Sequence, residues 1–192
     1  MAAVKKDGYT IKSLFEHGIK PSEEVMLAAL KNNGNTIKNL FEHGIKPTEE
    51  MLLTAVKNVG EAIYFISKAI DPDKISEQVM LAAVSHKKNS DMVLSHILNA
   101  GIKPSEAVQM AAVSNNVNSF EKLIDAGIKP SEAVQIAGAT NSDYVIKYLI
   151  DAGIRPSEAV QLASVKNHPY TLQYILDAGI KPSKEVNLAA IL

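Results

Sequence analysis

Four tyrosines hold the most suggestive spacing in the chain. Tyr144 and Tyr148 stand four residues apart, and Tyr170 and Tyr174 repeat that interval 26 residues later. Residues four apart share one face of a helix. With Ile146, Leu149 and Ile150 taken as the core side, a turn of 100° per residue points the tyrosine positions away from the core. The equivalent positions of earlier segments hold Asn35, Asn39, Asn118 and Lys122. A phenol brings a large, rigid apolar ring and a hydroxyl, which is the anchor chemistry of a protein interface. The plainer alternative is four rings that pack on one another or on the stems of neighbouring lysines.

A second pattern is cationic. Lys20, Lys46, Lys74, Lys103, Lys129, Arg155 and Lys181 recur at one position of a repeated segment, and Lys103, Lys129 and Arg155 are the candidates for binding an anion beside helix N-termini. Glu23, Glu49, Glu77, Glu106, Glu132 and Glu158 follow three residues later and would offset that charge. Surface ion pairs of this kind contribute little each. A third pattern is apolar: Met26, Leu52 and Met80 share a position that becomes Gln109, Gln135 and Gln161 further on. Those residues could line a partner groove, or they could be core in the first half and an inter-repeat amide ladder in the second.

Catalytic spacing is missing from the sequence. His17, His43, His86, His96 and His168 are scattered, with no pair at the H-x-x-x-H interval that sets two metal ligands on one helix face. No Walker loop or nucleophile elbow occurs, and with no cysteine there is no thiolate ligand, thiol nucleophile or disulfide. The expectation is a non-enzymatic protein without metal or cofactor. The 20 basic side chains against 21 acidic ones leave a formal charge of −1, which makes nucleic acid an unlikely partner. No apolar run of membrane-spanning length is present, and a cytoplasmic location is the default expectation.

These residues sit on a repeat. The steps Gly18 to Gly44, Gly101 to Gly127, Gly127 to Gly153 and Gly153 to Gly179 are each 26 residues. A further unit begins at Pro72, so units start at 18, 44, 72, 101, 127 and 153, preceded by a partial unit 1–17 and followed by a half-unit 179–192. Together they read as one helical-repeat domain, 1–192. Each unit reads G-I-K-P-S-E-x-V-x-L-A-A-V-x-N, a polar stretch, and an apolar pair such as Leu123-Ile124. Ser22, Thr48, Ser76, Ser105, Ser131, Ser157 and Ser183 stand where a hydroxyl N-cap starts a first helix. Asn32, Asn58, Asn115, Asn141 and Asn167 are expected to end it through the left-handed conformation that asparagine tolerates. A second helix follows with apolar residues at i, i+3, i+4, as in Ile37, Leu40 and Phe41. Glycine then takes a positive φ, isoleucine packs back, and proline blocks continuation. Helices this short are unstable alone, so the expected fold is all-α, a solenoid of stacked antiparallel helix pairs. The segment from Asn58 to Asn99 carries all five extra residues, including "AIDPDK" and "SHKKNSD", and is either a functional loop region or a bend.

The stretch "AVQLASVKNHPYTLQYILDAGI" (Ala159 to Ile180) resembles the helix-turn-helix portion of an ankyrin repeat, with its T-P-L-H-L-A-A helix, short turn, L-L ending and glycine. The likeness keeps the family's length from the first helix to that glycine and recurs along almost the whole chain. Three features differ: "GIKPSEA" replaces the segment that would carry the β-hairpin finger, asparagine stands at the usual turn glycine, and Gln109, Gln135 and Gln161 stand where the family has histidine. The resemblance implies a curved right-handed stack that binds other proteins. The leading expectation is therefore a protein-protein interaction module. Its alternatives are sequestration of a small anionic or nucleotide ligand along the basic row, and self-assembly of a homo-oligomer through the terminal half-units. Met1–Lys5 matches the end of a first helix, and Leu188, Ile191 and Leu192 lack a covering helix, which fits either a longer array or such end-to-end pairing.

Overall fold

A hydroxyl at an extended residue, three positions ahead of a free backbone N–H, is enough to start a helix here. In the computed structural model, which describes residues 9–87 and 89–191, all seven expected caps form. Ser22, Thr48, Ser76, Ser105, Ser131, Ser157 and Ser183 are each extended, and each hydroxyl oxygen accepts from the N–H three residues on. The helices they open are α2 (Glu23–Asn32), α4 (Glu49–Asn58), α6 (Glu77–Val84), α8 (Glu106–Asn115), α10 (Glu132–Asn141), α12 (Glu158–Asn167) and α14 (Lys184–Ala189). Between them lie α1 (Tyr9–Glu16), α3 (Ile37–Glu42), α5 (Ala62–Ala69), α7 (Ser90–Asn99), α9 (Asn118–Asp125), α11 (Tyr144–Asp151) and α13 (Thr171–Asp177). The described residues are all-helical apart from turns and loops. The register expected for Met1–Lys5 and the expected exposure of Leu192 lie outside them.

The chain divides between Pro104 and Ser105 into two compact units. In the first, the capped helices α2, α4 and α6 pack in sequence order, α3, α5 and α7 form a second row, and α4 and α6 lean on α5 and α7. The capped row is apolar on nearly every side because it is enclosed: α4 buries Met51, Leu52, Ala55 and Val56. The other row is amphipathic, burying Ile37 and Leu40, then Ile63 and Ile66, then Val93, Leu94 and Ile97. The second unit repeats the plan with α8, α10, α12 and α14 in one row and α9, α11 and α13 in the other. Its core holds Phe120, Leu123, Val145, Ile146, Leu149 and Ile175, all fully buried. At its far end Leu188 and Ile191 are exposed.

The glycine stops behave as expected. Gly127 has φ +72, its N–H donates to the Ile124 carbonyl, and the Ile128 N–H donates to the Leu123 carbonyl, the paired bonds of a left-handed helix stop. The asparagine stops do not. Among the described residues no non-glycine has a positive φ. Each asparagine is instead the last helical residue, and the next one leaves the helix at φ between −137 and −158, extended at Asn33, Val59, Asn116 and Ser142 and at ψ 78 in His168. What asparagine supplies is an amide for side-chain bonding. Asn58 donates from Nδ2 to the Lys31 carbonyl at 2.7 Å and accepts the Gly34 N–H at 2.9 Å, tying the end of α4 to the preceding repeat. In "AIDPDK" the stop is made differently: Ile70 is extended, and Asp71 caps a short 3-10 turn at Pro72–Lys74.

The caps also join successive repeats. The Ser131 hydroxyl donates to Glu106 Oε1 at 2.5 Å, Ser76 donates to Glu49 at 2.6 Å, and Ser157 donates to Glu132. Ser131→Ala removes both a helix cap and this cross-repeat bond. It is expected to cost about 1 kcal/mol, within the 0.5–2 kcal/mol usual for a lost cap, read as a lower urea midpoint.

Candidate protein-binding face

The second row of the second unit carries the tyrosines. Val145, Ile146 and Leu149 face inward from α11, so Tyr144 and Tyr148 face outward, and Tyr170 and Tyr174 follow at the start and on the outer side of α13. Tyr144 is 55% exposed and Tyr170 87%, while Tyr148 and Tyr174 are half-buried. Ring-to-ring contacts in the described structure involve only Phe15, His43, Tyr64, Phe65 and His96, so the four tyrosines do not stack on one another.

Polar groups surround these rings in a defined order. Lys147 donates to Asp151 at 2.5 Å, one turn along α11, and Gln173 donates to Asp177 at 2.6 Å at the same two repeat positions of α13. The bond to Asp151 raises the Lys147 pKa, and Tyr174 and Tyr148 act in the same direction. The Tyr148 pKa is also raised, first by partial burial and then by the carboxylates of Glu121 and Asp125 on α9. These two acids occupy the positions that hold Lys147–Asp151 and Gln173–Asp177 in the next two repeats. They have neither a hydrogen bond nor an ion pair among the described residues. In sequence the acid at Asp125 belongs to the repeat pattern, and what sets Glu121 and Asp125 beside the tyrosine row is the packing of α9 on α11.

The outer face of the first unit is built differently: Phe15, Tyr64 and Phe65 are each in contact with another ring, while Phe41 is half-buried beside an open groove. The Phe15 and His43 rings stack at 4.3 Å and 10° across adjacent repeats. Tyr64 packs on Phe65 and on His96, and Lys68 lies 4.2 Å over its ring and donates to its hydroxyl. Lys38 lies 5.9 Å over Phe65. This row was not anticipated from sequence, because its members stand at different repeat positions and only the fold aligns them. Burial lowers the His96 pKa, outweighing the upward pull of Glu61, while Lys68 adds to the lowering. A histidine shifted this way contributes stability that is complete above its ordinary value near 6.5 and is lost as pH falls through the folded value. His96→Phe keeps a ring against Tyr64 and is expected to flatten the loss of stability between about pH 6.5 and 5. Urea midpoints across that range measure it.

The other sequence candidates fall in separate places. In the first unit Met26, Leu52 and Met80 are buried to 6%, 7% and 7% exposure, in the core between capped helices. Met26 reaches the floor of a groove of about 400 Å³ that Lys20, Glu23 and Met51 also line, so the three residues do not form a continuous open channel. At the same position in the second unit, Gln135 and Gln161 donate to the carbonyls of Pro130 and Pro156, five residues earlier. The expected inter-repeat amide ladder is thus replaced by bonds within each repeat, because the carbonyl just ahead of the cap is the nearest unmet acceptor. The Gln161 Oε1 atom is buried without a hydrogen-bond partner in the described structure.

Lys103 in the first unit, and Lys129 and Arg155 in the second, are exposed and take part in no ion pair among the described residues. Of the glutamates expected to neutralise them, Glu106 and Glu132 accept from the cap hydroxyls of Ser131 and Ser157 instead. No group of three or more candidate metal ligands occurs among the described residues, and none of the described helices is long and apolar enough to cross a membrane.

Comparison of the chain with known protein families finds no family model that matches, and comparison with curated proteins finds no matching relative.

Proposed function

We propose that this chain is a non-enzymatic protein-binding module that captures a partner protein on the outer face of α11 and α13. The observation that carries this reading is the difference between the two units. In the first unit Phe15, Tyr64 and Phe65 each have a ring partner within the chain, whereas Tyr144, Tyr148, Tyr170 and Tyr174 have none and two of them are largely exposed. Aromatic anchors on a rigid, otherwise polar face suit partner capture, because little side-chain entropy is lost when they are covered. The finer architecture belongs to the same proposal: the helix rows continue as an ankyrin-like solenoid without hairpin fingers, in a cytoplasmic protein. Its shape holds side chains at fixed intervals, and binding requires no chemistry beyond shape and surface. The test is partner capture by a chain in which all four tyrosines are serine.

A second reading has one observation in its favour. The unpaired state of Lys103, Lys129 and Arg155 leaves cations available to a small anionic ligand. Replacing the three by glutamine is expected to leave protein capture within about twofold, since exposed charges at the rim of an interface contribute little. A loss of capture equal to that of the tyrosine variant would favour the anion reading.

A further inference from the structure

The repeat supplies its own control for the surface next to the tyrosines. At the position pair four residues apart on the outer row, α11 holds Lys147 with Asp151 and α13 holds Gln173 with Asp177, and in both the aspartate receives a donor. In α9 the same pair is Glu121 with Asp125. Two carboxylates one turn apart repel and weaken their own helix, so the folded chain alone gains nothing from this arrangement. Their helix packs against α11, where both carboxylates act electrostatically on Tyr148, and neither has an ion pair or hydrogen bond within the described structure.

The wider face has the same sign. Asp143 and Asp177 add carboxylates beside Tyr144 and Tyr174, while Lys122 is the one cation on α9, α11 and α13 outside the Lys147–Asp151 pair. The chain as a whole is close to neutral, so this excess is local.

From the unpaired carboxylates beside unpartnered phenol rings, we infer that the tyrosine face docks a basic segment of a partner protein, with an arginine or lysine seated between Glu121, Asp125 and Tyr148. The chemistry is complementary at each point. A guanidinium lies flat on a phenol ring and donates along its edge to carboxylates. The stems of the basic side chains cover the exposed rings of Tyr144 and Tyr170. Binding relieves the repulsion between Glu121 and Asp125, so the cation has a larger effect here than at a surface already paired. This inference rests on the proposed role of the tyrosine face, and its test separates the two.

The full chain is used to select from a phage-displayed library of random dodecapeptides, and the retained peptides are tested against the four-tyrosine-to-serine chain and against Glu121→Gln/Asp125→Asn. Peptides that need the tyrosines are expected to be enriched in arginine and lysine. Their affinity should fall about tenfold or more in the carboxylate variant and should weaken as salt is raised from about 0.15 M to 0.5 M. The melting temperature of that variant should be unchanged or higher, which excludes unfolding as the cause. Tyrosine-dependent peptides that are neutral or acidic, or that ignore the carboxylate replacements, overturn the basic-partner inference and leave the tyrosine face standing. If no retained peptide depends on the tyrosines, both readings are overturned.

Discussion

Gly34→Ala is expected to destabilise the chain by about 2–4 kcal/mol, more than its small size suggests. A Cβ built on Gly34 would lie 2.2 Å from the Ala55 carbonyl oxygen, 3.0 Å from its carbon and 3.1 Å from the Val59 nitrogen. All three are backbone atoms at the end of α4, which no rotamer change can move aside. Retreat is also blocked, because the Gly34 N–H is held by Asn58, and Asn58 in turn holds Lys31. Gly60 meets the Ala83 carbonyl oxygen at 2.8 Å in the same way one repeat later. Total stabilities of 5–15 kcal/mol are usual for domains, so a loss of this size is read easily as a drop in urea midpoint at unchanged slope. Gly127→Ala is the reference: its added Cβ meets nothing within 4 Å, and only the positive φ opposes it, at about 1–2 kcal/mol. A neutral Gly34→Ala would mean that adjacent repeats do not approach this closely.

Changing Tyr144, Tyr148, Tyr170 and Tyr174 to serine is expected to lower affinity for the partner about a hundredfold or more, equivalent to roughly 3 kcal/mol. Few residues of an interface carry most of its binding energy, and tyrosine is prominent among them. Stability should change by no more than about 1 kcal/mol, because the rings point out of the core and Val145, Ile146, Leu149 and Ile175 remain to hold α11 and α13. That separation of binding from folding distinguishes an interface residue from a packing residue. Replacing Phe120, which is fully buried, would disturb both together.

Local rules made much of the fold legible. A serine or threonine with an acid in the next two residues and an apolar run placed all seven caps, and glycine followed by isoleucine, within one or two turns of chain, placed the left-handed stops. Features that join one repeat to the next were not legible. Nothing near Asn58 in sequence reveals that its amide spans to Lys31 and Gly34, and Gly34, Gly60 and Gly138 fall outside the stop pattern. Their reasons are the Ala55 carbonyl, the Ala83 carbonyl and the Phe120 ring, each in a neighbouring helix or repeat. The tyrosines could be placed on the outer face because helical period alone fixes that direction. Whether those rings were occupied depended on partners across repeats, as the stacking of Phe15 on His43 illustrates in the first unit. The acids beside Tyr148 stand 23 and 27 residues from it on the other helix, and only packing of α9 on α11 joins them to it.

The most direct measurement is quantitative capture of partner proteins from native extract by three immobilised chains: the parent, the four-tyrosine-to-serine variant, and the variant with Lys103, Lys129 and Arg155 replaced by glutamine. A partner retained by the parent and the glutamine variant but lost from the serine variant, with all three chains showing the same helical content and urea midpoints within about 1 kcal/mol of one another, is the predicted result. Equal retention by the serine variant would contradict the account.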